Sequence, residues 1–277
     1  MTTAFYPWRE LGGTISISRL EERKNSGEAA LLKLLEKKIM QAEMSMKEAV
    51  NTQLIQGTVS SATFIDGNDQ KDLLPLGYFF RSAKGTNPTT SSVGNISSAT
   101  YPFWRHNVVD LTSGAPTGYD VSVTVNTRAG LKTYLYRAWN LASRGGDGSG
   151  PDIILMDMVS YETYEMALDA SKQYQDVTMA ELGFDSIKLK GGTCIWDELV
   201  PDMYTGTTAI TKGSAFMLNS KFYKLVIDEE TDFITTPFVE PENQTAKTAK
   251  ILFMGNATVS NMRKHTMVQN ILQTITT

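Results

Sequence analysis

The chain has 277 residues, of which 41% are hydrophobic and 20% are charged, so it is long enough for one large domain or two modest ones. Its 26 basic and 30 acidic side chains give a net charge of -4, which excludes a protein that grips nucleic acid along one strongly basic face. A single cysteine, Cys194, excludes an intrachain disulfide and a cysteine metal cage. No apolar stretch is long enough to predict a membrane span, and we expect no cleaved signal.

The first predicted element is a strand within residues 5 to 19. Its TISIS segment alternates Ile15 and Ile17 with hydroxyl residues, the period of a strand with one apolar face. Together with Trp8 and the pair Gly12 and Gly13, this segment is typical of one arm of an extended hairpin.

A long amphipathic helix is predicted over residues 28 to 55. Apolar residues recur there at steps of three and four, on one face: Leu32, Leu35, Ile39, Ala42, Met46 and Ala49. Such a helix is ~40 Å long, and we expect it to need an equally long partner surface. The spacing of Met40, Met44 and Met46 favours packing over ligand binding.

The rest of the chain mixes helices with strands. A second helix in TRAGLKTYLYRAWNLASRGG buries Leu131, Leu135, Ala138, Trp139 and Ala142 on one face. PDIILMD is then a buried strand, and Ser160 is the expected N-cap of a third helix. Strands are predicted in IKLKGGTCIW, SAFMLNS, KFYKLVID and DFITTPF, and in AKTAKILFMGNATVSN as a strand or strand pair with a break at Gly255. Helices segregated from antiparallel strands indicate an α+β fold.

Candidate catalytic and metal-binding groups are few. Asp197 with Glu198, and residues 228 to 230 with three carboxylates, have the oxygen chemistry of a cation site or an acid/base pair. Acidic residues beside strand ends are more typical of solvated turns. The loop 145 to 150, GGDGSG, lacks the lysine of a phosphate-binding loop and is read as a helix stop. Cys194 is expected to be a small buried hydrophobe.

A basic run, Arg263, Lys264 and His265, could touch phosphate, but a solvated or subunit-contact patch is the favoured interpretation. No set of residues combines a nucleophile, a base and oxyanion donors. We therefore predict no catalytic residue, no metal ligand and no cofactor, and the chain is not expected to be an enzyme.

Several segments in order along the chain resemble the major capsid proteins of tailed bacteriophages with the Hong Kong 97-type fold. They are NISSATYPFWR, TRAGLKTYLYRAWN followed by GPDIILMD, LGFDSIKLKGGTCIWDELVP, FMLNSKFYKLVID and ILFMGNATVSNMRKH. No one of these motifs is diagnostic alone, but the ordered set covers nearly the whole chain.

The resemblance implies a domain organisation. Residues 1 to 19 would be the returning strand of an extended loop that reaches over a neighbouring subunit, and residues 20 to 57 a peripheral domain with the long helix as its spine. Residues 58 to 255 would form the axial domain, and residues 256 to 277 a strand returning beside the spine. The chain would thus begin inside the extended loop, without the arm and outgoing strand of its relatives.

The implied function is structural. Pentamers and hexamers of this chain would form an icosahedral capsid, assembled in the host cytoplasm, that encloses double-stranded DNA without sequence-specific binding. The other implied partners are a portal protein and scaffold or decoration proteins, with no membrane. Residues 1 to 20 contain no lysine, so the covalent cross-link of some relatives, which uses a loop lysine, is not expected.

The predicted subunit contacts lie in three places. They are Trp8, Arg9 and Glu10 on the loop, Arg19, Glu21, Glu22 and Arg23 before the spine, and Arg263 and Lys264 near the C-terminus. Two alternatives stay open at this stage. One keeps the fold but makes the shell an encapsulin-type compartment for an enzyme cargo, and the other is a small enzyme or binding module that uses the acidic turns as a cation site.

Overall fold

The computed structural model describes residues 3–24, 28–56, 71–80, 92–111, 128–145, 148–168, 187–200, 212–242 and 245–272. The helices in these ranges are α1 (Arg19–Lys24), α2 (Glu28–Ile55), α3 (Leu76–Phe79), α4 (Arg128–Ser143) and α5 (Met158–Ala167). Two short 3-10 helices span Glu229–Thr231 and Met262–Lys264. The fold is of the α+β class, as predicted.

Most strands belong to two sheets, of which the first is antiparallel and the second mixed. The strands are β1 (Arg9–Ser18), β2 (Ser92–Val93), β3 (Ile96–Ser97), β4 (Asn107–Asp110), β5 (Ile153–Met156), β6 (Ile187–Leu189), β7 (Gly192–Trp196), β8 (Lys212–Leu218), β9 (Tyr223–Ile227), β10 (Ile234–Thr235), β11 (Ala246–Val259) and β12 (Thr266–Leu272). In one sheet β1, β11 and β10 lie side by side and β9 also pairs with β11. The other sheet has the order β4, β12, β8, β5, β7, β6, and β2 pairs with β3 alone.

The long helix α2 has the bounds predicted from its periodicity. Its inner face packs on the first sheet through Met46 and Val50, which lie in one apolar cluster with Ile251 and Phe253 of β11. Ala49, which was predicted to lie on this face, is exposed, and Val50 takes its place. Met40 and Met44 are also exposed, so their predicted packing is not seen within this chain, whereas that of Met46 is.

The strand β1 pairs with β11 along its whole length, in an antiparallel register that runs from Arg9 opposite Gly255 to Ser18 opposite Ala246. The predicted alternation is confirmed, since Ile15 and Ile17 are buried and the serines between and after them are exposed. The expectation of a hairpin arm stays a prediction, since β1 pairs with β11 on one side and its other side has no strand partner among the described residues.

The strand β11 runs unbroken over 14 residues, so the predicted break at Gly255 is wrong. Gly255 has another role. A Cβ atom there would lie 2.8 Å from the carbonyl oxygen of Val226 on β9, closer than real side chains tolerate, so glycine lets the two strands approach.

The six-stranded sheet has α4 and α5 on one face. Leu131, Leu135 and Ala138 of α4 are buried there against Ile154 and Met217 of the sheet. Cys194 lies in this core, as predicted, and burial raises the pKa of its thiol to about 12. It is therefore a neutral packing group at pH 7.

The strand β12 corrects another expectation. Residues 256 to 277 were predicted to return beside the spine helix, but β12 lies inside the six-stranded sheet, parallel to β4 and antiparallel to β8. The segment that does pack beside α2 is β11 with β1. The predicted domain boundary between residues 255 and 256 falls within β11.

A second core joins the two sheets. Phe216 and Met267 from the six-stranded sheet pack with Ala257 and Val259 from the end of β11. The short helix α3 fills the same cluster with Phe79 and its neighbour Phe80, whose rings meet Tyr6, Tyr223 and Phe216 at centroid distances of 5.8 to 6.3 Å. The two sheets therefore share one apolar core.

Candidate functional site

The candidate site is a surface, because the described part of the chain leaves many large apolar side chains in contact with solvent. A monomeric soluble protein rarely exposes extended apolar patches, and larger ones mark interaction sites. The exposed residues are Phe5, Trp8, Leu20, Met40, Met44, Tyr101, Phe103, Ile153, Met158, Met166, Ile195, Trp196, Leu225, Val226, Ile227, Ile234 and Val239.

Trp8, Arg9 and Glu10 lie at the start of β1. Trp8 is 52% exposed, and Glu10 is also exposed. Arg9 is half-buried, and its Nε atom is buried with no hydrogen-bond partner among the described residues. A buried donor without a partner is costly, so the Arg9 guanidinium is not fully paired within the described residues.

The segment before Trp8 is held firmly to the end of β11. The Tyr6 hydroxyl donates to the Val259 carbonyl at 2.9 Å, and the Asn256 side-chain amide donates to the Pro7 carbonyl at 2.7 Å. Burial raises the pKa of Tyr6 above its usual value, which keeps the hydroxyl protonated as a donor. Trp8 is thus presented to solvent by an ordered backbone.

Glu21 is used within the subunit. The Ser18 N–H donates to the Glu21 carboxylate at 3.2 Å, and the Glu21 N–H donates to the Ser18 hydroxyl at 3.3 Å, which makes a capping box at the start of α1. Lys38 of α2 donates to the same carboxylate at 2.7 Å. The hydrogen bond from Lys38 is the main reason that the pKa of Glu21 is lowered.

Glu22 also has an internal partner, Lys247 of β11, at 2.6 Å. This hydrogen bond is the main reason that the pKa of Lys247 is raised. Both groups line a shallow polar cleft with Arg19, Glu240 and Thr245. Arg19 and Arg23 are exposed. Of the four charged residues predicted as contacts here, the two arginines therefore project into solvent, and the two glutamates bind α1 to α2 and β11.

The basic run at residues 263 to 265 is not one exposed patch. Arg263 is exposed, but Lys264 and His265 are buried. The Lys264 ammonium donates to the Ser149 carbonyl at 3.2 Å, which places it inside the subunit. The interpretation of Lys264 and His265 as a surface patch is therefore wrong, because the 3-10 helix turns their side chains toward the core.

His265 lies in the aromatic core. Its Nδ1 atom accepts a hydrogen bond from the Asn219 N–H at 3.2 Å, and its ring is 5.4 Å from Phe80 and 6.3 Å from Tyr223. Burial lowers the pKa of His265 to about 3, which the nearby charge of Asp152 only partly opposes. His265 is accordingly neutral at pH 7 and serves as a structural group.

The acidic turns act locally. Asp197 accepts from the Leu199 N–H at 2.8 Å, and Asp228 accepts from the Thr231 hydroxyl at 2.8 Å, so each carboxylate closes its own turn. In the ranges that the structure describes, no three His, Cys, Asp or Glu side chains converge closely enough to hold a metal ion. No helix in the same ranges is long and apolar enough to cross a membrane.

One exposed feature was missed from the sequence, namely the edge strand β9, whose apolar residues are exposed on both faces. Leu225, Val226 and Ile227 are each 39 to 40% exposed. The signal was present in KFYKLVID, because three consecutive apolar residues do not follow the alternation of a half-buried strand. The sequence alone could not tell such a run from a buried strand.

No protein-family model matches the chain, and no curated protein matches its sequence. Solved structures do match. The subunit of the holo-SrpI encapsulin complex from Synechococcus elongatus PCC 7942 superposes with a TM-score of 0.55 at 13% identity, over 98% of this chain and 77% of that one. The capsid of Myoviridae phage XM1 gives 0.51 at 10% identity, over 95% and 73%, and the capsid of an empty GTA particle gives 0.51 at 12%, over 95% and 72%.

The chain has the Hong Kong 97-type fold. Identities this low establish the fold and nothing finer, so the predicted fold class is confirmed while the assignment of single contact residues stays a prediction. The Hong Kong 97-type fold agrees with the long helix α2 against one sheet and with the second sheet beyond it. The ordered sequence segments that suggested this fold are spread over both sheets.

Proposed function

We propose that this chain is a structural shell protein that assembles with copies of itself, and specifically the major capsid protein of a tailed bacteriophage. Pentamers and hexamers would close into an icosahedral shell around double-stranded DNA. The observation that carries the proposal is the shared Hong Kong 97-type fold, which extends over 95% or more of the chain in phage XM1 capsid and SrpI encapsulin.

The surface of the subunit supports the same proposal. Exposed apolar side chains occur in the N-terminal segment, on the outer face of α2, on α5 and on β9. A subunit with neighbours on several sides needs several such contacts, whereas a monomer with one ligand needs one concave site. Repetition of head-to-tail contacts then closes the shell.

The proposed division of the subunit follows its sheets. The four-stranded sheet with α2 would be the peripheral domain, with α2 as its spine. The six-stranded sheet with α4 and α5 would be the axial domain at the centre of a capsomer. This division assigns residues 246–255 to the peripheral domain, because β11 pairs with β1 beside the spine.

The contact residues that we propose are those with side chains available to a neighbour. Trp8, Arg9 and Glu10 form one group, Arg19 and Arg23 a second, and Arg263 stands near the C-terminus. Glu21 and Glu22 would act through the ion pairs with Lys38 and Lys247, which fix the orientation of α1. Lys264 is left out because it is buried. Charges at interface rims set the register of docking more than the affinity.

Enclosed DNA would be held loosely. With a net charge of -4, the subunit lacks the excess of basic side chains that binds phosphates tightly. The DNA would be packaged and released without sequence-specific contacts. A portal protein and scaffold or decoration proteins complete the proposed set of partners, with assembly in the host cytoplasm.

The test is to express the chain alone and examine it by negative-stain electron microscopy, with light scattering on the same sample. Uniform hollow shells, or rings of five and six subunits, are the expected result. A compact species that stays at 30.6 kDa at every concentration would contradict the proposal. Nuclease-protected DNA in particles purified from their source would separately support the enclosed genome.

An encapsulin-type compartment is the second candidate, and the similarity to SrpI encapsulin is the observation that supports it. Both candidates predict shells, so the contents decide between them. A defined protein cargo in particles from the native source, with no protected DNA, would replace the capsid assignment by the compartment.

A further inference from the structure

The strand β9 is an unusual edge. Its residues Lys224, Leu225, Val226 and Ile227 are exposed on both faces of the strand. Edge strands with apolar residues on both faces are templates for pairing with another chain. In the part of the chain that the structure describes, β9 pairs with β11 on one side and with no strand on the other.

The hydrogen bonds between β9 and β11 fix which backbone groups of β9 point outward. The Asp228 N–H donates to Met254, and the Phe222 carbonyl accepts from Ser260, both across to β11 or its end. Backbone direction alternates along a strand, so Lys224 and Val226 also face β11. The N–H and carbonyl groups of Leu225 and Ile227 therefore face away from the sheet.

We propose that this edge binds the same edge of a second copy of the chain, as an antiparallel pair about a twofold axis at Val226. In this register Val226 lies opposite the partner's Val226, and Leu225 lies opposite the partner's Ile227. Lys224 then lies opposite the partner's Asp228. Leu225 and the partner's Ile227 exchange their outward hydrogen bonds, as a hydrogen-bonded antiparallel pair does.

Charge complementarity selects this register. A slip of the register by one residue would place the outward backbone groups of one β9 opposite residues of the other β9 whose backbone groups face β11. The hydrogen bonds between the two copies would then be lost. A slip by two residues that centres the axis on Leu225 places Lys224 opposite Val226 and leaves both charges unpaired. With the axis at Val226, two Lys224 to Asp228 pairs and the Val226 pair form on one face, and two Leu225 to Ile227 pairs form on the other. Cross-strand pairs of both kinds stabilise a sheet.

A contact of five residues from each chain is small beside the ~1,200 Å² of a stable pairwise interface. It is therefore expected to be weak in a free dimer and populated in a larger assembly, where the other contacts raise the effective concentration. This step rests on the proposed function. An isologous contact would join subunits across a twofold axis of the shell, between neighbouring capsomers.

The test uses cysteine cross-linking, with a matched control. In the proposed register Val226→Cys meets the partner's substituted residue across a non-hydrogen-bonded pair, at about 4.5 Å between Cα atoms, within reach of a disulfide. Leu225→Cys is equally exposed, but its copy in the partner lies diagonally at about 7–8 Å, beyond that reach. The native Cys194 is buried and does not compete.

The expected result under mild oxidation is a covalent dimer from Val226→Cys and at least about tenfold less from Leu225→Cys. The charge pair is then tested in the Val226→Cys chain. Lys224→Asp should lower the dimer yield severalfold, because it opposes two carboxylates, and addition of Asp228→Lys should restore it by reversing both signs. Circular dichroism confirms that each variant is folded.

Equal cross-linking of Val226→Cys and Leu225→Cys, or no dimer from either at shell-forming concentrations, would overturn the proposal. Particle formation by wild-type protein is followed in parallel. Shells without the cross-link would reject the β9 contact and keep the proposed function. The cross-link without shells would support the β9 contact and reject the proposed function as a shell protein.

Discussion

Asp157 shows how one side chain fixes the junction of a helix and a sheet. Its carboxylate accepts from the Ser160 N–H at 3.2 Å, as the N-cap of α5, and from the Ser214 N–H of β8 at 2.9 Å. The sequence predicted Ser160 as the cap instead. Both residue types are good caps, and only the backbone shows that the helix begins one residue after Asp157.

The first prediction separates these two assignments. Asp157→Ala should lower the free energy of unfolding by about 1–3 kcal/mol, because two N–H groups lose their acceptor. Ser160→Ala is the matched control, since the Ser160 hydroxyl has no hydrogen-bond partner among the described residues, and it should cost well under 1 kcal/mol. Urea denaturation measures both, and a larger loss from Ser160→Ala would restore the cap predicted from the sequence.

The buried His265 gives the second prediction. Its pKa is lowered by burial to about 3 in the folded subunit, against about 6.5 in an unfolded chain. Between these values the unfolded chain binds a proton that the folded chain does not. The contribution of His265 to the free energy of unfolding is therefore complete above pH 6.5. It is lost as the pH falls toward 3, by up to about 1.4 kcal/mol per pH unit.

The measurement is the pH dependence of urea unfolding from pH 7 to pH 4, for wild type and His265→Gln. The variant should be less stable at pH 7, because it loses ring packing with Phe80 and Tyr223, but its stability should fall less steeply with acid. Identical slopes for the two proteins would show that His265 titrates normally in the folded subunit.

Trp8 gives the third prediction. A Trp that is half exposed on an ordered segment resembles the anchors that dominate interfaces, which contribute about 2 kcal/mol or more. Trp8→Ala should therefore raise the concentration needed for assembly at least about tenfold. Trp8→Phe should raise that concentration much less. Light scattering against concentration measures this onset. Unchanged onset for Trp8→Ala, in a folded subunit, would remove Trp8 from the proposed contacts.

At the scale of elements, α2 is a helix with two different faces. Met46 and Val50 face the core formed with β1 and β11, and Met40 and Met44 face solvent one turn apart. The inner face stabilises the subunit. The outer face contributes little to the stability of a single subunit and is available to a neighbour.

The fourth prediction follows from this division. Met46→Ala should lower the free energy of unfolding by about 2–5 kcal/mol, because it leaves a cavity in a packed core. Met44→Ala, a change of the same size on the exposed face, should stay within about 0.5 kcal/mol. Thermal or urea unfolding compares them, and equal losses would contradict the assignment of the inner face.

The periodicity of the sequence predicted which segments form helices and strands better than it predicted which segments lie beside one another. The steps of three and four in α2 and the alternation of Ile15 and Ile17 report which face is buried, and both were right in outline. Gly255 was misread, because a glycine in a strand signals either a break or a close approach of another backbone. The carbonyl of Val226, which decides between them, lies 29 residues away in sequence.

At the scale of the whole molecule, the pairing of distant strands could not be derived from local patterns. β12 lies between β4 and β8, and β1 pairs with β11 across more than 200 residues. The resemblance of ordered segments to known capsid proteins supplied the fold, which local patterns could not. It did not supply the surface, because an exposed β9 and a buried Lys264 depend on how this chain packs.

The apolar residues of the whole molecule divide into buried cores and an exposed set, as the proposed shell function requires. Its cores join the two sheets, and its remaining apolar residues lie outside on several elements. Salt bridges such as Lys38 to Glu21 are partly exposed and add little stability by themselves, but they fix the orientation of charged groups near the proposed contacts. Stability of the shell would then exceed stability of the free subunit.

The most direct measurement is the mass of the particle that the chain forms when expressed alone, by light scattering with electron microscopy of the same fractions. We expect closed shells of uniform diameter whose mass is a fixed large multiple of 30.6 kDa. A folded protein that remains a monomer at every concentration at which its fold is intact would contradict this expectation.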